Sequence, residues 1–260
     1  MSFYLHKKTW VTIKEEVKQC KTVIVPLGSM EAHGPHNPVG SCYLLAESAS
    51  KSVGEKTKIP VTPVIPFGVS DPYRNFPGTI TVSSNSLSNY MKDVCQSLIE
   101  SGYKKIIFFS AHGGNNLPVL REIALDLRKS SNILCPVVHL WGLLSQLVKP
   151  GLWGKDLVPG HGGEPTTSTI LYLYPELVDI EKAKPPTINN PLEGFQTLSH
   201  ESQKLNGLTY NIPLFADEIT GNSATGDPTK ASKEIGQILY NQLIDCLVEF
   251  VLKIDKLDTR

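Results

Sequence analysis

Apolar positions along the chain fall into two kinds of run. Short stretches rich in β-branched residues occupy residues 23–27, 61–67, 106–110 and 133–140, and they are predicted as strands entering loops; Pro26 and Gly28 end the first, and Pro63 and Pro66 break the second. Residues 106–110, Ile-Ile-Phe-Phe-Ser, are apolar on both alternating faces, as expected of a strand buried between helix layers in a mostly parallel sheet. Between these runs the apolar residues take helical spacing. Helices are predicted over 43–53, over 87–101 with Tyr90, Val94 and Leu98 on one face, and over 117–127 with Leu120, Ile123, Ala124 and Leu127. Two more are predicted, over 166–174 before Pro175 and over 230–253, the last packing across the domain.

Alternation of strand and helix predicts an α/β fold: a single-domain, layered α/β/α arrangement with a mostly parallel sheet over residues 1–260. Residues 182–222 are rich in Pro, Asn, Gly and Thr with weak periodicity, which predicts long loops with room for a hairpin. Trp141 and Trp153 flank a stretch with Leu143, Leu144 and Leu147, expected to form a loop that packs in the core or covers a site or subunit contact.

Composition narrows the function classes. Lys plus Arg and Asp plus Glu each number 25, so the net charge is zero, and neither nucleic acid nor an anionic membrane is an expected partner. The five cysteines are scattered, with no CxxC pair, which suits free thiols in a reducing cytosol. No secretory leader and no apolar stretch of ~20 residues is expected, and the expected location is cytoplasmic.

Ligands of open α/β sheets gather where strands end at their carboxyl edge. Two loops rich in His, Glu and Gly follow predicted strands there: Gly28-Ser-Met-Glu31-Ala-His33-Gly-Pro-His36, and Ser110-Ala-His112-Gly-Gly-Asn115-Asn116. A third, Gly160-His161-Gly-Gly-Glu164, opens the helix predicted from 166. Glycines beside the histidines permit tight turns, so imidazoles and carboxylates can converge. Such mixed ligands suit a divalent metal: zinc, manganese or iron(II). Other chemistries have less support. There is no GxSxG, Gly113-Gly114 lacks the Lys and Ser/Thr of a phosphate loop, and a Cys42 nucleophile paired with His33 or His161 has no activating signature.

These residues also carry a resemblance. The stretch from Pro26 to Gly40 resembles the opening motif of the creatininase (creatinine amidohydrolase) family, whose Glu-x-His pair supplies metal ligands. Phe76-Pro-Gly-Thr79, Ala111-His112-Gly-Gly-Asn115, His161-Gly-Gly-Glu164, Leu173-Tyr-Pro175 and Gly226-Asp-Pro228 are similar to its later segments, in the same order. The resemblance implies a creatininase-like fold and a metal-dependent hydrolase acting on C–N bonds other than peptide bonds, in a cyclic or linear amide of a small molecule. It implies Glu31, His33, His112 and Glu164 as ligands of one or two ions. It also implies that His161 matches a histidine near the reacting group, and a homo-oligomer of dimers assembling into hexamers. By its own chemistry His161, an imidazole with an ordinary pKa of about 6.5, is expected to shuttle protons, Glu164 to exchange between ligand and base, and His36 and Asn115 to orient ligands or substrate.

The chain departs from the family pattern at Cys42, where an Asp bridges two metals, and also at Thr166 and Gly114. A thiolate can ligate zinc but is a poor bridge for hard cations. The expectation is one tightly held ion with Cys42 as a further candidate ligand. The alternative is a catalytically impaired ligand-binding or assembly protein.

Overall fold

The computed structural model describes residues 2–114, 116–154 and 157–258. In chain order the helices are α1 (Trp10–Glu16), α2 (Ser41–Thr57), α3 (Ser84–Glu100), α4 (Asn116–Ser131), α5 (Leu140–Leu147), α6 (Thr166–Leu173), α7 (Ala216–Ile219) and α8 (Lys233–Lys256). The strands are β1 (Thr22–Leu27), β2 (Lys105–Ser110), β3 (Val137–His139), β4 (Gln196–Thr197), β5 (Ser202–Leu205) and β6 (Leu208–Asn211). Side-chain caps begin three of the helices: Thr9, Ser83 and Ser232 hydroxyls accept from the backbone N–H of Thr12, Ser86 and Ile235.

β1, β2 and β3 form a parallel sheet in that order, with Val25 opposite Phe108 and Ser110 opposite His139. Side chains of β1 and β2 alternate between two cores, as the pleat requires. Ile24, Ile107 and Phe109 pack on one face with α2, α5 and α8, and Val23, Val25, Leu27, Ile106 and Phe108 pack on the other with α3 and α4. The layers are therefore α/β/α around a parallel sheet.

Several predicted elements differ from those observed. Residues 61–67 lie beside β1 in parallel register only at the bridges Ile24–Val61 and Leu27–Ile65, because Pro60, Pro63 and Pro66 have no N–H to continue a ladder. In the predicted strand 133–140, pairing is confined to Leu134, bridged to Lys105, and to β3; Leu140 already begins α5. The stretch containing Leu143 and Leu144 is thus a helix, where a loop was expected. The hairpin within 182–222 forms, as the antiparallel β4–β5–β6. α8 is long and apolar enough to cross a membrane by length and composition, although no such stretch was expected. Leu239, Leu243, Leu247 and Val251 on its inner face instead join the core with α2 and α5.

Candidate metal centre

The loop after β1 carries Glu31 and His33, the loop after β2 carries His112, and the segment leading into α6 carries His161 and Glu164. All five line one cavity of about 440 Å³ at the carboxyl edge of the sheet. The third segment is held against the turn at Gly226. Thr225 and Gly226 N–H donate to the His161 carbonyl at 2.8 and 3.0 Å, and a Cβ on Gly163 would lie 2.3 Å from the Gly226 carbonyl carbon. Only glycine permits that approach.

Three imidazoles are tethered alike. His33 Nδ1 lies 2.8 Å from the Glu31 carbonyl, His161 Nε2 2.7 Å from the Ala32 carbonyl, and His112 Nε2 2.9 Å from the Val69 carbonyl. A carbonyl can only accept, so each tethered nitrogen carries a proton, and the other nitrogen of each ring is the one left to hold an ion. Those free nitrogens converge on one carboxylate oxygen, Glu31 Oε1: His112 Nδ1 and His161 Nδ1 at 3.7 Å each, and His33 Nε2 at 3.9 Å. Glu31, His33 and His161 offer atoms that all lie within 4.8 Å of one another. The rings are also fixed by stacking, with Tyr73 on His161 at 4.1 Å and His161 on His33 at 4.2 Å.

Electrostatics reflect this crowding of acceptors. Burial raises the Glu31 pKa, but His112, His161 and His33 outweigh it and the net shift is downward. For His112, burial works toward the neutral ring, yet Glu31, Cys42 and the Val69 carbonyl lift its pKa to about 9. Burial and the neighbouring His33 push His161 down to about 3. Glu31 is 2% exposed, and its Oε2 has no hydrogen-bond partner. A buried carboxylate among three imidazoles needs positive charge beside it, which a protonated His112 or a bound cation in its place supplies. A divalent ion therefore fits the donor set.

Glu164 is fully buried. Its Oε2 accepts from Ser168 N–H at 3.2 Å, its Oε1 has no partner, and burial raises its pKa to about 7. Cys42, 1% exposed, lies with Sγ 3.6 Å from His33 Nε2. His36 does not line the cavity; it sits behind it, with Nε2 3.1 Å from the Thr167 hydroxyl and from Asn37 Nδ2. Asn115 lies outside the described residues.

His139, Tyr73 and His200 also line the cavity and were not singled out from the sequence; Trp141, expected beside a stretch that packs in the core or covers a site or subunit contact, lines it too. His139 had a usable signal, a histidine at the carboxyl end of a strand, but the predicted strand ran past it. Its ring fits between Gly113 and Gly142, where a Cβ would lie 2.7 and 2.6 Å from ring atoms, and burial lowers its pKa to about 4. Tyr73 closes a single 3-10 turn, Asp71–Tyr73, and His200 lies in a bend, so neither has a spacing to mark it; they meet at 3.4 Å from Tyr73 Oη to His200 Nδ1.

Comparison with known proteins gives consistent matches. The family model for creatininase (creatinine amidohydrolase) matches residues 6–251. A 3-dehydro-scyllo-inosose hydrolase from Thermotoga maritima is 33% identical over 260 residues, covering 95% of this chain and 82% of that protein. A creatinine amidohydrolase from Pseudomonas putida is 26% identical over 213 residues, 75% of this chain and 81% of its own. A mycofactocin precursor peptide peptidase from Mycobacterium tuberculosis is 23% identical, covering 89% and 85%. Among solved structures, creatinine amidohydrolase (creatininase) superposes with TM-score 0.78 at 21% identity over 99% of both chains. The structure described as "Creatininase Mn" gives 0.77 at 21% over 99% of this chain and 100% of its own.

Proposed function

The chain belongs to the creatininase family of hydrolases, and on that premise we propose that it hydrolyses a C–N bond in a small cyclic or linear amide, with a divalent ion held by Glu31, His33, His112 and His161. The observation that carries this reading is the convergence of three imidazole lone pairs on Glu31 Oε1. A zinc or manganese ion there supplies Lewis acidity, polarising a carbonyl and making water acidic near neutral pH. The form of the related creatininase described with manganese supports the choice of a divalent ion.

The remaining work falls to the chain's own groups. Glu164 Oε1, buried and unpartnered on the cavity wall, takes and returns the proton of the attacking water, while Ser168 N–H holds its other oxygen. His161, expected to shuttle protons, is assigned here to the ion, since its tether matches those of His33 and His112. His36 and Asn37 brace the Glu31–His33 loop through Thr167 and the His33 carbonyl. Tyr73 and Trp141 supply flat walls suited to a small ring.

The test is metal content by mass spectrometry, with hydrolysis assayed on creatinine, other cyclic and linear amides, and 3-dehydro-scyllo-inosose. At least one ion per chain is expected, along with loss of hydrolysis after chelation and its return on adding zinc or manganese. Unchanged hydrolysis by fully chelated protein would sink the proposal. Stoichiometric metal without hydrolysis of any amide would leave the ion site standing and remove the amide substrate class.

A further inference from the structure

Cys42 is a buried sulfur with no task in the reading above. It sits in the first turn of α2, 1% exposed, on the cavity wall. Its Sγ lies 3.6 Å from His33 Nε2, the same lone-pair nitrogen that faces Glu31. From the other side, Trp141 Nε1–H donates to Sγ at 3.4 Å. A second observation stands independently: Glu31 Oε2, also buried in this cavity, has no hydrogen-bond partner.

The separation is that of a thiol hydrogen bond to the ring, and it also suits two ligands of one ion. Zinc bonds of about 2.3 Å to sulfur and about 2.0–2.1 Å to imidazole nitrogen set two neighbouring ligand atoms roughly 3.1–3.8 Å apart, for the angles of about 90–120° found in ions with four or five ligands. Cys42 and His33, at 3.6 Å, already lie within that range. Cys42 belongs to the core cluster with α2, α5 and α8, as Cys95 and Cys135 belong to the cluster under α3 and α4, so apolar surroundings do not set it apart; its two polar neighbours do. These are an imidazole nitrogen and an indole N–H.

We propose that Cys42 Sγ is a ligand of the ion, making this a His–carboxylate–thiolate centre that prefers zinc or cobalt(II) over manganese or magnesium. This rests on the metal-centre reading and sharpens it. On binding, the Cys42 S–H bond breaks, the proton passes to solvent, and the sulfur's electron pair forms the bond to the ion. His33 Nε2, held forward by its Nδ1–H bond to Glu31, stays free to bind beside it. The Trp141 N–H remains on the sulfur and stabilises its negative charge. Selectivity follows from softness, since thiolate favours zinc and cobalt over hard, oxygen-seeking ions.

Cobalt(II) provides a readout independent of activity. The metal-stripped full chain, titrated with cobalt(II), should show a sulfur-to-cobalt charge-transfer band in the near ultraviolet as well as visible d–d bands. Cys42→Ser should keep the d–d bands and lose the charge-transfer band. Cys42→Asp should lose it too, and should shift the zinc-to-manganese affinity ratio toward manganese by about tenfold or more. Stoichiometric cobalt without a charge-transfer band in the unaltered protein would overturn the sulfur ligand while leaving the histidine–carboxylate centre in place. No cobalt binding at all would overturn both. Should Cys42→Ser fail to fold, the unaltered spectrum and Cys42→Asp still decide.

Discussion

His161 Nδ1 faces Glu31 Oε1 at 3.7 Å while its Nε2 donates to the Ala32 carbonyl at 2.7 Å. One side chain from the segment before α6 is therefore locked onto the backbone of the loop after β1, with its lone pair turned inward. A proton shuttle must rotate or exchange protons with solvent, whereas a ligand must hold still. His161→Ala is therefore expected to lower metal affinity by about 100-fold or more, at or beyond the upper end of what loss of an outer partner costs. Competition against a chelator measures this. An unchanged metal affinity with lost turnover would return His161 to the proton-handling role.

Glu164 separates the two tasks from the other side. In Glu164→Gln the amide oxygen can still accept from Ser168 N–H, so the fold of the segment is kept while a proton acceptor is lost. Turnover should fall by about 10²–10⁴-fold with metal content unchanged. Loss of the ion in this variant would make Glu164 a ligand.

What the sequence made legible follows from where the signal was physical. Residues 106–110 read as a central strand because both faces are apolar, and β2 packs one face into each core. Glu31, His33 and His112 stood out because they follow strands and have glycines beside them. α5 was missed because it is only eight residues long and starts directly where β3 ends, so its apolar positions read on as part of the preceding run. His161 was visible as a residue but not as a ligand. Which ring nitrogen is free depends on the Ala32 carbonyl, a contact across 129 residues that no local pattern encodes. Tyr73 and His200 belong to that same long-range class.

Packing between α6 and α8 offers a test of how the third loop is held. A Cβ on Gly236 would lie 1.9 Å from the Ser168 carbonyl oxygen and 3.0 Å from Tyr172 Cβ, so the helices meet only because that position is bare. The clash is with backbone and cannot be relieved by a rotamer change. Gly236→Ala should destabilise the chain by about 3 kcal/mol, at the upper end of overpacking costs. Since α6 begins two residues after Glu164, the site should be disturbed as well. A urea midpoint equal to that of the unaltered chain would show that α8 slides freely on α6.

The lower core makes a prediction about alkaline pH that does not involve the metal centre. Cys95, Cys135 and Tyr103 are buried in the cluster between the sheet and α3 and α4, and burial pushes each of their pKa values up to about 12. In the unfolded chain the thiols ionise near 9.0 and the phenol near 10.0. Below those values both states carry the proton, and the stability due to the buried neutral groups is fully present. As pH rises through them the unfolded chain loses protons that the folded chain keeps, so unfolding becomes progressively more favourable until about 12. Each group contributes up to about 1.4 kcal/mol per pH unit over that window. Urea unfolding followed from about pH 8 to about pH 11 should show stability falling steeply above about 9, and replacing Cys95 and Cys135 by alanine should flatten the slope even as it lowers the starting stability. A double variant that loses stability with pH as steeply as the unaltered chain would mean that the two thiols ionise in the folded protein as readily as in the unfolded one.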